Sequence, residues 1–123
     1  MRLAALVALT LLIALFHGFV GANKALAPRE VLAEHTAWTI HLPDVVGRAI
    51  GWIEIAMAAA LLVALIRPGL ARLGMWICIA FVMLEGISSF VHYRHGELSM
   101  LPQNAMSSLL TALAAWLFAR RRA

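Results

Sequence analysis

Apolar residues run almost unbroken through four stretches of the chain, Leu3–Ala22, Val45–Ile66, Leu70–Tyr93 and Leu101–Ala119, with polar residues gathered between them. Each run approaches the ~20 residues that a helix needs to cross a bilayer, so the pattern predicts four transmembrane helices. The breaks between them are unequal. Arg67-Pro68-Gly69 is only a tight turn, which makes helices two and three an antiparallel hairpin. Arg94-His95-Gly96-Glu97 and the residues up to Pro102 form a short polar connection. Asn23–Asp44 is the one sizeable connection, with Pro28 suited to a first helical position and Val31, His35 and Trp38 recurring at helical spacing. It predicts a short amphipathic extracytoplasmic helix anchored by Trp38 at the interface, with an irregular loop as the alternative. The first run has the basic start and the Val20-Gly21-Ala22 end of a signal peptide, yet it is long enough to span and is expected to stay as helix one.

The polar residues inside these runs are not scattered. At about 100° per residue, Gly47, Gly51, Glu54 and Ala58 fall within about 60° of one another, which points Glu54 at neighbouring helices and not at lipid. Gly47 and Gly51 form a small-xxx-small face on which a second backbone can come close. An acid within a span costs at least ~2.5 kcal/mol, so Glu54 calls for a partner and a role. By the same count Thr10, Ala14, His17, Gly21 and Lys24 share one face of helix one. Gly74, Cys78, Phe81, Glu85, Ser88, Ser89 and His92 lie along one side of helix three. Asn104, Ser107, Ser108, Thr111 and Ala115 lie along helix four.

Composition agrees with a membrane protein: 63% of the residues are hydrophobic and 13% charged, with a mean hydropathy of +0.89. The expected fold is all-α, a single four-transmembrane-helix domain over residues 1–123. The net charge of +4 argues for topology signals and not for nucleic acid, because the basic residues sit at segment ends. Arg2, Arg67, Arg72, Arg120, Arg121 and Arg122 gather on one side without an acid, whereas Lys24, Arg29, Arg48 and Arg94 are offset by Glu30, Glu34, Asp44 and Glu97. Both termini are therefore expected on the cytoplasmic side, in a multi-pass protein that in a bacterium would occupy the inner membrane. The lone Cys78 excludes a disulfide within the chain and reads as a small buried apolar residue.

With that orientation every polar stripe falls in the outer half of the bundle. The inner half is apolar apart from Thr10 and Cys78, so the bundle is a cup with Asn23–Asp44 as its lid. By rise alone Glu54 lies near the midplane, Glu85 roughly 5 Å outward, His17 roughly 7 Å and His92 roughly 15 Å. The candidate pocket residues are His17, Lys24, Arg48, Glu54, Glu85, Ser89, His92, Asn104 and Ser108, with Gly47 and Gly51 serving helix packing. The alternative is that these groups only satisfy one another and lock the helices. A haem between His17 and His92 needs equal depth and is disfavoured; a metal at Glu54, Glu85 and His17 is geometrically easier but is not expected either.

Gly21-Ala22-Asn23-Lys24 at the end of helix one, a Pro-containing extracytoplasmic segment, and Gly51-Trp52-Ile53-Glu54 early in helix two resemble the DoxX-like family of small four-helix membrane proteins. The resemblance implies that Lys24 and Glu54 are the functional positions to carry over, and sets no expectation for Glu85 or His92-Tyr93-Arg94-His95. The family includes the small subunit of a thiosulfate:quinone oxidoreductase and relatives that assist receptor assembly or cargo export. Two functions follow. One is an accessory role in membrane-linked redox processes, with a quinone or other small amphipathic molecule held in the cup. The other is a membrane-protein assembly partner working through the Gly47/Gly51 face, on other membrane proteins or a second copy of itself. Neither requires catalysis by this chain alone, and no nucleophile–base pair is visible. Lys24 stands roughly 15 Å above Glu54 by rise, so their contact is expected to need tilt, unwinding after Gly21, or a relay through His17 or Arg48. The expected charge assignment is an ionised Glu54 held by Arg48 and Lys24, with Glu85 carrying a proton.

Overall fold

A computed structural model describes residues 1–121; Arg122, the last of the terminal basic triplet, lies outside the described residues. It is all-α, with no strand among the described residues. Four long helices, α1 (Arg2–Leu26), α3 (Asp44–Ile66), α4 (Ala71–Arg94) and α5 (Leu101–Ala119), are joined through a short helix α2 (Arg29–Glu34) and through 3-10 turns at Trp38–His41, Pro68–Leu70 and Leu98–Met100.

The boundaries follow local chemistry. Helix α1 runs a full turn past Ala22, and it stops at Ala27 because the residue before Pro28 is driven into extended backbone, here φ −70° and ψ 147°. The segment between α1 and α3 holds a short helix, as expected, but not one that carries Trp38, which is buried and not anchored at an interface. Its helix closes after Glu34, Thr36 turns the chain at φ 53°, and Trp38–His41 winds back as a 3-10 helix. Gly96, at φ 71°, makes the reversal after α4 at little steric cost.

Helix α1 packs chiefly on α3, and α4 chiefly on α5. The first pair is close because both helices lack a side chain at the crossing. A Cβ added at Gly51 would stand 2.5 Å from Ala25 N and 2.6 Å from Gly21 O, so α1 and α3 meet backbone to backbone there. Gly47 does not share that contact, as its face is covered by Thr39, whose Cβ would lie 3.1 Å from an added Cβ. The Gly47/Gly51 stripe is therefore filled within the chain, and it offers no free surface for another membrane helix. At the other end of the bundle Leu6, Ile13, Leu61, Cys78, Phe81 and Phe118 form a dry core.

Cations close two helix ends. The Arg48 guanidinium donates to the carbonyls of Lys24, at 3.2 Å, and Ala27, and the Arg121 guanidinium donates to those of Ala64, at 3.3 Å, and Leu65, at 2.6 Å. These carbonyls lack partners within their own helix, and the negative end of the helix dipole favours a cation beside them. Facing outward are Phe19, Trp52, Ile53, Trp76, Phe90 and Leu109, a surface suited to lipid and not to water. Arg2–Leu26, Asp44–Ile66 and Pro68–Arg94 are each long and apolar enough to cross a membrane. Helix α5 has 19 residues and carries Gln103, Asn104, Ser107, Ser108 and Thr111, which dilute its apolar character.

Candidate functional site

The α1–α3 crossing sets the level of the polar residues. Because Gly51 abuts Lys24 and Ala25 while Gly21 abuts Glu54 and Ile55, the end of α1 stands beside the start of α3. Lys24 is thereby brought within reach of Glu54, and its Nζ donates to Glu54 Oε1 at 2.7 Å. This corrects the depth expected from the sequence. Counting rise from the middle of each apolar run ignores that α1 continues to Leu26 and crosses α3 at the glycines, so neither unwinding nor a relay is needed. Both groups are withdrawn from solvent, Lys24 at 5% exposure and Glu54 at 1%. The ammonium also lies 5.3 Å from the centre of the Trp38 ring, which the lid presents above it.

Arg48 takes no part in this pair. It holds the end of α1 and forms an ion pair with Asp44, Nε to Oδ1 at 3.4 Å, one turn back on its own helix, because a guanidinium at that level meets unpaired carbonyls before it meets Glu54. The cationic cluster expected around Glu54 is thus Lys24 alone.

Under the lid lies a chamber of about 240 Å³. Lys24, Glu54, Glu85, Ser88, His92 and Asn104 supply much of its polar wall, and Phe16, Phe19, Val20, Leu84, Trp38 and Met100 much of its apolar one. Asn104 Nδ2 donates to Ser88 Oγ at 3.1 Å and Ser89 Oγ at 3.2 Å, tying α5 to α4 beside it. Ser107, and not Ser108, donates to Glu85 Oε1, at 3.3 Å. Both serines lie near the same face, and spacing alone does not choose between them. His17 sits beside the chamber, stacked on Phe81 with ring centres 3.8 Å apart and its Nε2 3.7 Å from Glu85 Oε1. Its ring nitrogens have no hydrogen-bond partner, and neither has Glu54 Oε2. Among the described residues no group of three or more His, Cys, Asp or Glu is arranged to hold a metal ion.

The lid is latched through His92, which the polar face of α4 carries as expected, and through His41 and Glu97, which no helix face reveals. Glu97 Oε1 accepts from His41 Nε2 at 2.9 Å and from His92 Nδ1 at 3.2 Å, and the His41 ring stacks on His95 at 3.6 Å. Burial works against the charged form of Glu97, but the hydrogen bonds from His41 and His92 outweigh it and hold the carboxyl below its ordinary range. A folded pKa below the unfolded one gives stability that is present above the unfolded value and is lost as pH falls through the folded one. Trp38 emission, read in a chain with Trp52, Trp76 and Trp116 replaced by Phe, is therefore expected to hold steady down to about pH 5 and to shift red only below the ordinary Glu value of about 4.3. A red shift already complete at that higher pH would mean that something other than Glu97 keeps the lid down.

The helices and their lipid-facing surface define a small multi-pass membrane protein. A profile of the DoxX-like family matches residues 8–117, most of the chain, and the chain belongs to that family. Comparison with curated proteins, and separately with solved structures, gives no match.

Proposed function

We propose that the chain binds a small amphipathic molecule beneath its lid and serves membrane-linked redox chemistry as an accessory protein, with a quinone as the ligand class. The observation that carries this reading is the buried Lys24–Glu54 pair set in the wall of a largely apolar chamber. Packing alone does not call for such a pair, since burying two charges costs about as much as their attraction returns. A quinone ring suits the wall: an ammonium with protons to spare and the Ser88 hydroxyl face carbonyl oxygens, and the aromatic side chains face the ring. Glu54 and Glu85 offer acceptors for the reduced, hydroxyl-bearing form.

All four long helices span in this reading, with both termini cytoplasmic and the lid outside, as the acid-free group Arg2, Arg67, Arg72, Arg120 and Arg121 favours. A periplasm-active reporter joined after Arg121 is expected to stay inactive, and activity there would reverse the topology. For the ligand, the test is organic extraction of the purified protein followed by mass spectrometry. Near-stoichiometric quinone supports the reading, and purification with no small molecule in any amount opposes it.

A further inference from the structure

A second cavity, of about 220 Å³, lies against the first, lower between α1 and α5. Leu12, Ile13, Met106, Leu110 and Ser107 line it, and Phe16 and Gln103 border both spaces. The two are therefore neighbours through shared walls, one with a charged pair and one with no charged residue. Their place in the bundle explains the second. Helix α1 gives its close face to α3 and α5 gives its close face to α4, so the α1/α5 seam is bridged by side chains alone and leaves space between them. It also reaches the surface, where Leu12 is 52% and Met106 59% exposed.

We propose that this seam is the tail subsite of the same ligand: an isoprenoid or alkyl chain leaves the lidded chamber past Phe16 and Gln103 and lies between α1 and α5, open to the bilayer. The inference rests on the chamber being a head-group site. It adds a ligand class, a single-tailed amphiphile whose head alone passes under the lid, and an entry route from the side. The size of the chamber favours this arrangement, because about 240 Å³ sits below the usual range for a whole drug-sized ligand and suits a ring. A hydrocarbon chain gains from an uncharged slot in proportion to the apolar surface it covers, and charge would have forbidden it.

Calorimetric titration of the full chain in detergent, using a decyl-substituted benzoquinone and the same ring with a methyl in place of the decyl group, tests it. The decyl probe is expected to bind about tenfold or more tightly than the methyl probe. Leu12→Trp and Met106→Trp, both at exposed positions, are expected to remove that advantage and leave the methyl probe unchanged. If the decyl probe keeps its advantage in both variants, or never has one while the methyl probe still binds, the tail subsite is wrong and the head site stands. If neither probe binds the unaltered protein, both fall. A decyl probe with a diazirine at the tail end gives an independent reading. Crosslinks on the Leu12–Phe16 and Met106–Leu110 segments that excess decyl probe displaces support the subsite, and crosslinks that it cannot displace come from bulk lipid contact and oppose it.

Discussion

Glu54→Gln is expected to lower the stability of the bundle by roughly 3–5 kcal/mol, whereas Glu85→Gln lowers it by about 1 kcal/mol or less. The difference comes from what each carboxyl group faces. Glu54 Oε1 takes a 2.7 Å bond from Lys24, and the ammonium is enclosed by the lid and by Trp38. A glutamine keeps an acceptor oxygen there but removes the charge, which leaves a cation buried without its counter-ion. Lys24 cannot escape by extending to water, since its four-carbon stem already points inward from the end of α1 and Trp38 lies over it. Glu85 instead accepts one bond from the Ser107 hydroxyl at 3.3 Å, which a glutamine oxygen accepts as well. Its other neighbour, His17 at 3.7 Å, stands beyond hydrogen-bond distance. Thermal melting of the two variants in one detergent measures this. Equal losses, or a larger loss for Glu85→Gln, would show that the Lys24–Glu54 pair is not the charge pair that matters.

Much of this site is legible in the sequence because membrane burial makes polar residues expensive. Glu54 and Glu85 stand out within apolar runs, and the angular count assigns each to a protein-facing side, where both are buried. Gly51 is legible for the same reason, as a residue whose missing side chain marks a helix crossing. The partner of that crossing is not legible from α3 itself. Gly47 has the same residue type and face as Gly51, yet it meets Thr39 of the lid, because the lid folds over the first turn of α3 while α1 reaches only the next one. Depth is the least legible quantity. It depends on the level at which two helices cross, a tertiary property, and the later end of α1 accounts for only about 2 Å of the separation that rise alone puts between Lys24 and Glu54. Arg48 is not legible from charge alone, because two unpaired carbonyls at the end of α1 lie nearer to it than Glu54. The latch at His41, His92 and Glu97 joins two connections distant in sequence, and no helical period reports such a contact.

The second large effect concerns the ligand, and it separates a binding role for the Lys24–Glu54 pair from a structural one. Removing one partner of a buried ion pair strands the other, but replacing both with apolar residues of similar volume is often neutral or stabilising. Lys24→Met with Glu54→Leu is such a replacement. In this account the double variant melts close to the unaltered protein, because the pair costs about as much to bury as it returns and the Gly21–Gly51 crossing that joins α1 to α3 is untouched. Its chamber keeps its apolar wall and loses the ammonium and carboxylate proposed to receive a polar head. The decisive measurement is the quinone content of this double variant, by organic extraction and mass spectrometry, beside that of the unaltered chain purified in the same way. The account predicts a folded double variant with its bound quinone reduced at least about tenfold, the loss of one or two charge-assisted hydrogen bonds. A double variant that folds and retains its quinone in full would contradict it.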